Sequence, residues 1–191
     1  METKTHRLDG HIMMEHWFRA PVDYFGAFPN NGQGTLSVFA REYVRDGNDR
    51  APRLVFFQGG PGSSSSRLIP TVSWLDTVLD KYRVVLLDQR GTGNSSPVDD
   101  EAITAYVTVE EKAAYLSCFR QDSIVADAEV LRRALQGDKP WAALGQSFGG
   151  FCVTNYLSQA PEGLSQAFIT GGLPSLDSHA SHIVNVMKKQ R

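Results

Sequence analysis

Trp141-Ala142-Ala143-Leu144-Gly145-Gln146-Ser147-Phe148-Gly149-Gly150 reads as a short apolar strand running into a glycine-flanked serine. Residues 145–149 match G-x-S-x-G, and a helix-compatible segment, residues 151–159, follows. Strand, sharp turn and helix together are the context of a nucleophile elbow, which holds a serine side chain out at the end of a sheet. Small residues flank such a serine because the turn is strained and its backbone passes close to its neighbours. The motif alone is weakly specific, since any glycine-rich turn from strand to helix carries the same signature.

Working outward, two upstream apolar runs have the same ending. Leu54-Val55-Phe56-Phe57-Gln58 leads into Gly59-Gly60-Pro61-Gly62, and Val84-Val85-Leu86-Leu87 leads into Asp88-Gln89-Arg90-Gly91-Thr92-Gly93-Asn94-Ser95. Continuous apolar runs of this length read as strands buried on both faces. Ala167-Phe168-Ile169-Thr170 reads as a further strand.

Helical spacing lies between these runs. Val72, Leu75, Val78 and Leu79 recur at three or four residues within residues 69–79. Thr108 with Glu111 makes a capping box at the head of residues 109–118. Residues 123–135 carry a stripe of Ile124, Ala128, Leu131 and Leu135, with Asp127, Arg132 and Arg133 off it. Pro161 and Gly163 break the helix after the serine. Strands alternating with helices predict an α/β protein whose mostly parallel sheet is flanked by helices. Residues 11–18 and 35–44 predict an antiparallel N-terminal hairpin, joined through the turn residues Pro29, Asn30, Asn31 and Gly32.

In a parallel sheet the loops at the carboxyl ends of the strands converge on one edge. An acyl-transfer serine needs a base for its proton and donors for the oxyanion. The N–H after the serine, that of Phe148, is one candidate donor, and the loop after an earlier strand supplies the other. Gly59-Gly60-Pro61-Gly62 suits this role, with bare backbone N–H groups and room for close approach; Gly60 is the choice. A phosphate loop is a poor fit, because no G-K-[ST] follows. Asp88 either pairs with Arg90 or caps a backbone turn, and both readings are structural.

Composition narrows the classes. The chain has 191 residues, 41% hydrophobic and 21% charged, enough for one domain with a real core. A net charge of -2 points to neither nucleic acid nor an anionic membrane surface. No apolar run approaches the roughly 20 residues of a membrane span, and residues 1–10 lack a signal-peptide core. Cys118 and Cys152 read as buried free thiols and not as metal ligands or a disulfide framework, which makes a cytoplasmic location the expectation. No cofactor is expected.

The three loops, in this order and at this rough spacing, resemble those of prolyl iminopeptidases, which are α/β-hydrolase serine peptidases that remove an N-terminal residue, often proline. G-G-P-G is the most discriminating motif. Phe39-Ala40-Arg41-Glu42 in the hairpin is similar to the longer members, and the resemblance spans residues 10–176. It implies Ser147 as nucleophile and the N–H groups of Gly60 and Phe148 as the oxyanion hole. It also implies a peptide substrate with a free N-terminus. The family usually has His before G-G-P-G where this chain has Gln58, which puts local loop hydrogen bonding in question.

The family's helical cap, triad Asp and triad His lie beyond the matched segment. The resemblance therefore implies the N-terminal part of a longer member: residues 1–176 as an incomplete α/β-hydrolase core and residues 177–191 as a linker toward the cap. Asp177, His179 and His182 follow Ser147 in the right order. Residues two apart seldom face each other on a helix, so these read as solvated linker residues. His6, His11 and His16 are expected to face solvent or the hairpin. The expected function is a serine aminopeptidase working through an acyl-enzyme on Ser147. The alternatives are an esterase or other hydrolase on the same scaffold, and an inactive fragment or binding module.

Overall fold

The computed structural model describes residues 1–28, 34–65 and 74–172. The turn residues Pro29, Asn30, Asn31 and Gly32, residues 69–73 of the first expected helix, and Asp177, His179 and His182 lie outside the described residues.

Among the described residues seven strands form one sheet: β1 Glu2–Leu8, β2 His11–Pro21, β3 Thr35–Arg45, β4 Arg53–Phe57, β5 Arg83–Asp88, β6 Trp141–Gln146 and β7 Leu164–Thr170. Their spatial order is β1-β2-β3-β5-β4-β6-β7. The first three strands pair antiparallel, and β3 joins β5 antiparallel. From β5 onward every neighbour is parallel. The apolar runs therefore sit at the centre, where both faces of the sheet are covered. Pattern reading misses β1, whose seven residues are all exposed, because an edge strand with both faces in water leaves no apolar alternation to detect.

Among the described residues five α-helices connect these strands: α1 Trp74–Leu79, α2 Asp100–Thr104, α3 Val109–Ser117, α4 Gln121–Gln136 and α5 Phe148–Gln159. The expected capping box heads α3: the N–H of Glu111 donates to Thr108 Oγ1 at 3.1 Å, and that of Thr108 donates to Glu111 Oε2 at 3.0 Å. No helix among the described residues is long and apolar enough to cross a membrane.

One face of the sheet packs Phe57, Val85 and Leu87 against Ile124 and Leu131 of α4 and Val153 of α5. The other packs Leu54, Phe56, Val84 and Leu86 against Leu75 and Leu79 of α1. Each such fully buried side chain contributes about 1.5–3 kcal/mol relative to exposure. A third cluster, with Val22, Leu36, Tyr115 and Cys118, seats α3 beside the end of the hairpin. Cys118 and Cys152 are both buried free thiols, and burial pushes Cys152 up to about 12.

Two polar residues off the apolar stripe are nevertheless buried, and the N-terminal histidines divide between solvent and the hairpin. Asp127, off the apolar stripe of α4, is buried, and so is Arg132. Of the three N-terminal histidines, His6 is exposed against Glu15, whereas His11 and His16 are buried within the antiparallel strands. The His16 ring lies 3.1 Å from Glu42 Oε2 and 2.9 Å from Thr3 Oγ1.

Candidate active site

Ser147 stands between β6 and α5 with φ 54 and ψ -116, and it is the one non-glycine residue with positive φ among those described. A side chain held in this region costs on the order of 1–3 kcal/mol, so the surroundings must hold the conformation in place. They do so from both sides. The Ser147 N–H donates to Thr170 O of β7 at 3.0 Å, and the Gly150 N–H donates to Ser147 O at 2.8 Å. The serine is exposed at the carboxyl edge of the sheet.

The tight turn is possible because its glycines lie against neighbouring backbone. A Cβ on Gly149 would collide with the carbonyl oxygen of Phe57 on β4. Gly149→Ala therefore forces α5 away from the sheet. The expected cost is about 3 kcal/mol, the upper end for overpacking, measured as a lowered urea midpoint or as loss of folded protein.

The loop after β4 reaches the same place. A Cβ on Gly59 would stand 3.0 Å from Ser147 Cβ, so the backbone of Gly59-Gly60 runs directly beside the serine. Gln89 Nε2, on the loop after β5, donates to Gln58 O at 3.0 Å and ties the two loops together. The Phe148 N–H heads α5, where the first helical N–H groups have no partner four residues back. Gly59, the residue before Gly60, and Phe148, the residue after the serine, thus both adjoin Ser147. Among the described residues no side chain hydrogen-bonds the Ser147 hydroxyl.

The Asp88 loop resolves in favour of backbone capping. Asp88 accepts N–H donors from Ser65 and Asn94, both at 2.9 Å, and does not pair with Arg90. Burial pushes its carboxyl up, opposed by those two donors and the charge of Arg41. Arg90 instead crosses to α4. Its Nε and Nη2 meet Asp127 at 2.7 and 2.6 Å, and its other donors reach the carbonyls of Pro21, Val22 and Cys118. Tyr24 completes the group with a 2.9 Å hydrogen bond from its hydroxyl to Asp127. The Arg90–Asp127 pair spans 37 residues of sequence, and no local pattern signals it.

The loops after β4 and β5 and the starts of α4 and α5 enclose a cleft of about 290 Å³, lined by Pro61, Gly91, Val98, Phe119 and Phe148 among others. It adjoins the Gly60 loop. Its apolar walls come from four separate segments, so spacing along the chain does not reveal it.

The family model for the alpha/beta hydrolase fold matches residues 52–189 of the chain. The chain belongs to this α/β-hydrolase family. Within it, the chain is similar to curated proline iminopeptidases. It is 41% identical over 178 residues to that of Aeromonas sobria, a match covering 92% of this chain and 41% of that protein. It is 34% identical over 178 residues to the proline iminopeptidase aneH of Aspergillus aculeatus, covering 88% of this chain and 39% of that protein. This α/β-hydrolase chain thus spans about two fifths of the length of these relatives. Among solved structures, a Mycobacterium tuberculosis protein superposes with a TM-score of 0.60 at 19% identity, covering 92% of this chain and 52% of that one. A proline iminopeptidase-related protein of Thermus thermophilus gives a TM-score of 0.50 at 20% identity, covering 81% and 44%. At these identities the structural likeness concerns the fold alone.

Proposed function

We propose that this α/β-hydrolase is a serine aminopeptidase of the prolyl iminopeptidase kind, acting on peptides with a free N-terminus. The observation that carries the reading is the exposed, positive-φ Ser147 with the Gly59-Gly60 backbone packed beside it. The 41% identity to a proline iminopeptidase supports the choice of substrate class.

In this reading the Ser147 hydroxyl attacks the carbonyl carbon of the N-terminal residue. Negative charge collects on the carbonyl oxygen, and the N–H groups of Gly60 and Phe148 stabilise it. Collapse of the tetrahedral intermediate expels the amine of the next residue, leaving an acyl-enzyme ester. Water then attacks that ester and releases the amino acid. A histidine takes the serine proton and passes it to the leaving amine, and an aspartate orients the histidine. Both are assigned beyond the matched segment, with residues 1–176 as core and 177–191 leading toward a cap. The site requires no metal for this chemistry. Two buried free thiols fit a reducing, cytoplasmic setting.

The test uses the protein as its source makes it. Turnover is compared among a prolyl arylamide, the same compound with an N-acetyl block, and a simple aryl ester. The expected result is cleavage of the free prolyl arylamide and none of the blocked compound. Ester hydrolysis with both arylamides untouched would overturn the aminopeptidase reading in favour of an esterase.

A further inference from the structure

A cluster of arginines lies at the other end of the sheet from Ser147 and takes no part in the proposed catalysis. Arg53 opens β4 and Arg83 opens β5, and the parallel register sets them side by side. Both side chains therefore leave the sheet on the same face. Each donates its Nε to one oxygen, Oε1 of Glu42, at 2.8 Å. Glu42 is fully buried, and its other oxygen is occupied by His16. Burial alone raises its carboxyl, but the His16 hydrogen bond and the two arginine charges outweigh this and hold it below the usual carboxylate range. Glu42 is therefore a charged anchor that fixes two guanidinium groups at a set separation.

One nitrogen of each arginine, Nη2, remains. Arg83 Nη1 donates to Asp49 O at 2.8 Å, and Arg53 Nη1 reaches Gln136 Oε1 only at 3.4 Å. Among the described residues neither Nη2 has a hydrogen-bond partner. The two arginines, with Asp49, Arg50, Gln136 and Lys139, line an open cleft of about 340 Å³. Four cations face the single carboxylate of Asp49 and the buried Glu42, a local surplus of two positive charges. The whole chain carries -2, so this is a concentrated reversal of its average charge.

Two guanidinium groups with fixed orientation, each with an unpartnered Nη2, match the oxygens of a tetrahedral oxyanion, which they can grip through charge-assisted hydrogen bonds. We propose that this cleft binds a small phosphate-bearing ligand. The phosphate sits between Arg53 and Arg83, with Arg50 and Lys139 closing over it.

The test titrates the protein with inorganic phosphate, followed by phosphorus NMR line broadening, against chloride at matched ionic strength and against acetate. The R50A/K139A double variant is measured in parallel, because neither side chain holds Glu42. The expected result is saturable phosphate binding that the double variant weakens at least about tenfold, the worth of losing one charge-assisted contact, with an unchanged urea midpoint in phosphate-free buffer. Phosphate binding no stronger than chloride, equal binding by the double variant, or acetate binding as tight as phosphate would each overturn the proposal.

Discussion

Ser147→Ala is expected to abolish covalent labelling by a fluorophosphonate and to lower peptidase turnover by about 10⁴–10⁶-fold, the scale on which a nucleophile and its base fail as one unit. The protein stays folded, because the Ser147 backbone bonds to Thr170 and Gly150 do not use the side chain. Labelling that survives the substitution would remove Ser147 as nucleophile. Stability supplies an independent readout. At φ 54 and ψ -116 any Cβ is strained, whereas glycine accepts the region freely. Ser147→Gly is therefore expected to unfold at a higher urea concentration than Ser147→Ala, by about 1 kcal/mol. A serine in an ordinary turn would show the opposite order.

Asp127→Ala is expected to be the most damaging single change remote from the serine. It leaves the Arg90 guanidinium buried without its counter-charge, a loss of about 3–5 kcal/mol. Asp127→Asn keeps an acceptor for Arg90 and Tyr24 and should cost less. Replacing both partners with leucine is often benign for a buried pair. Here it should not be, because Arg90 also serves the carbonyls of Pro21, Val22 and Cys118. Those oxygens would be left buried without donors. Urea unfolding of the three variants checks the order. A double variant as stable as wild type would show that Arg90 serves only Asp127.

The legibility of this molecule follows the range of its interactions. The runs of β4 and β5 were readable because a strand covered on both faces has to be apolar throughout. The cap of α3 was readable because Thr108 and Glu111 satisfy each other within one turn. The elbow was readable because only glycines fit where backbone meets backbone, and glycines leave a mark in sequence. The burial of Asp127 is not legible, because helical periodicity reports whether a residue lies on the apolar stripe and says nothing of a partner 37 residues away. Asp88 and Arg90 looked like natural partners two residues apart, yet the loop sends one to backbone N–H groups and the other into the core.

The sequence by itself determined the α/β architecture, the three glycine-rich loops and the serine at their centre. All of these rest on contacts between residues close in the chain, or on a burial pattern that recurs with the period of the element. Only the tertiary structure decided that Gly59 lies against Ser147, that Arg90 crosses to Asp127, and that Arg53 and Arg83 share Glu42. Those pairings are set by strand order and register, which bring distant segments within hydrogen-bond reach, and a hydrogen bond leaves no periodic trace along the chain.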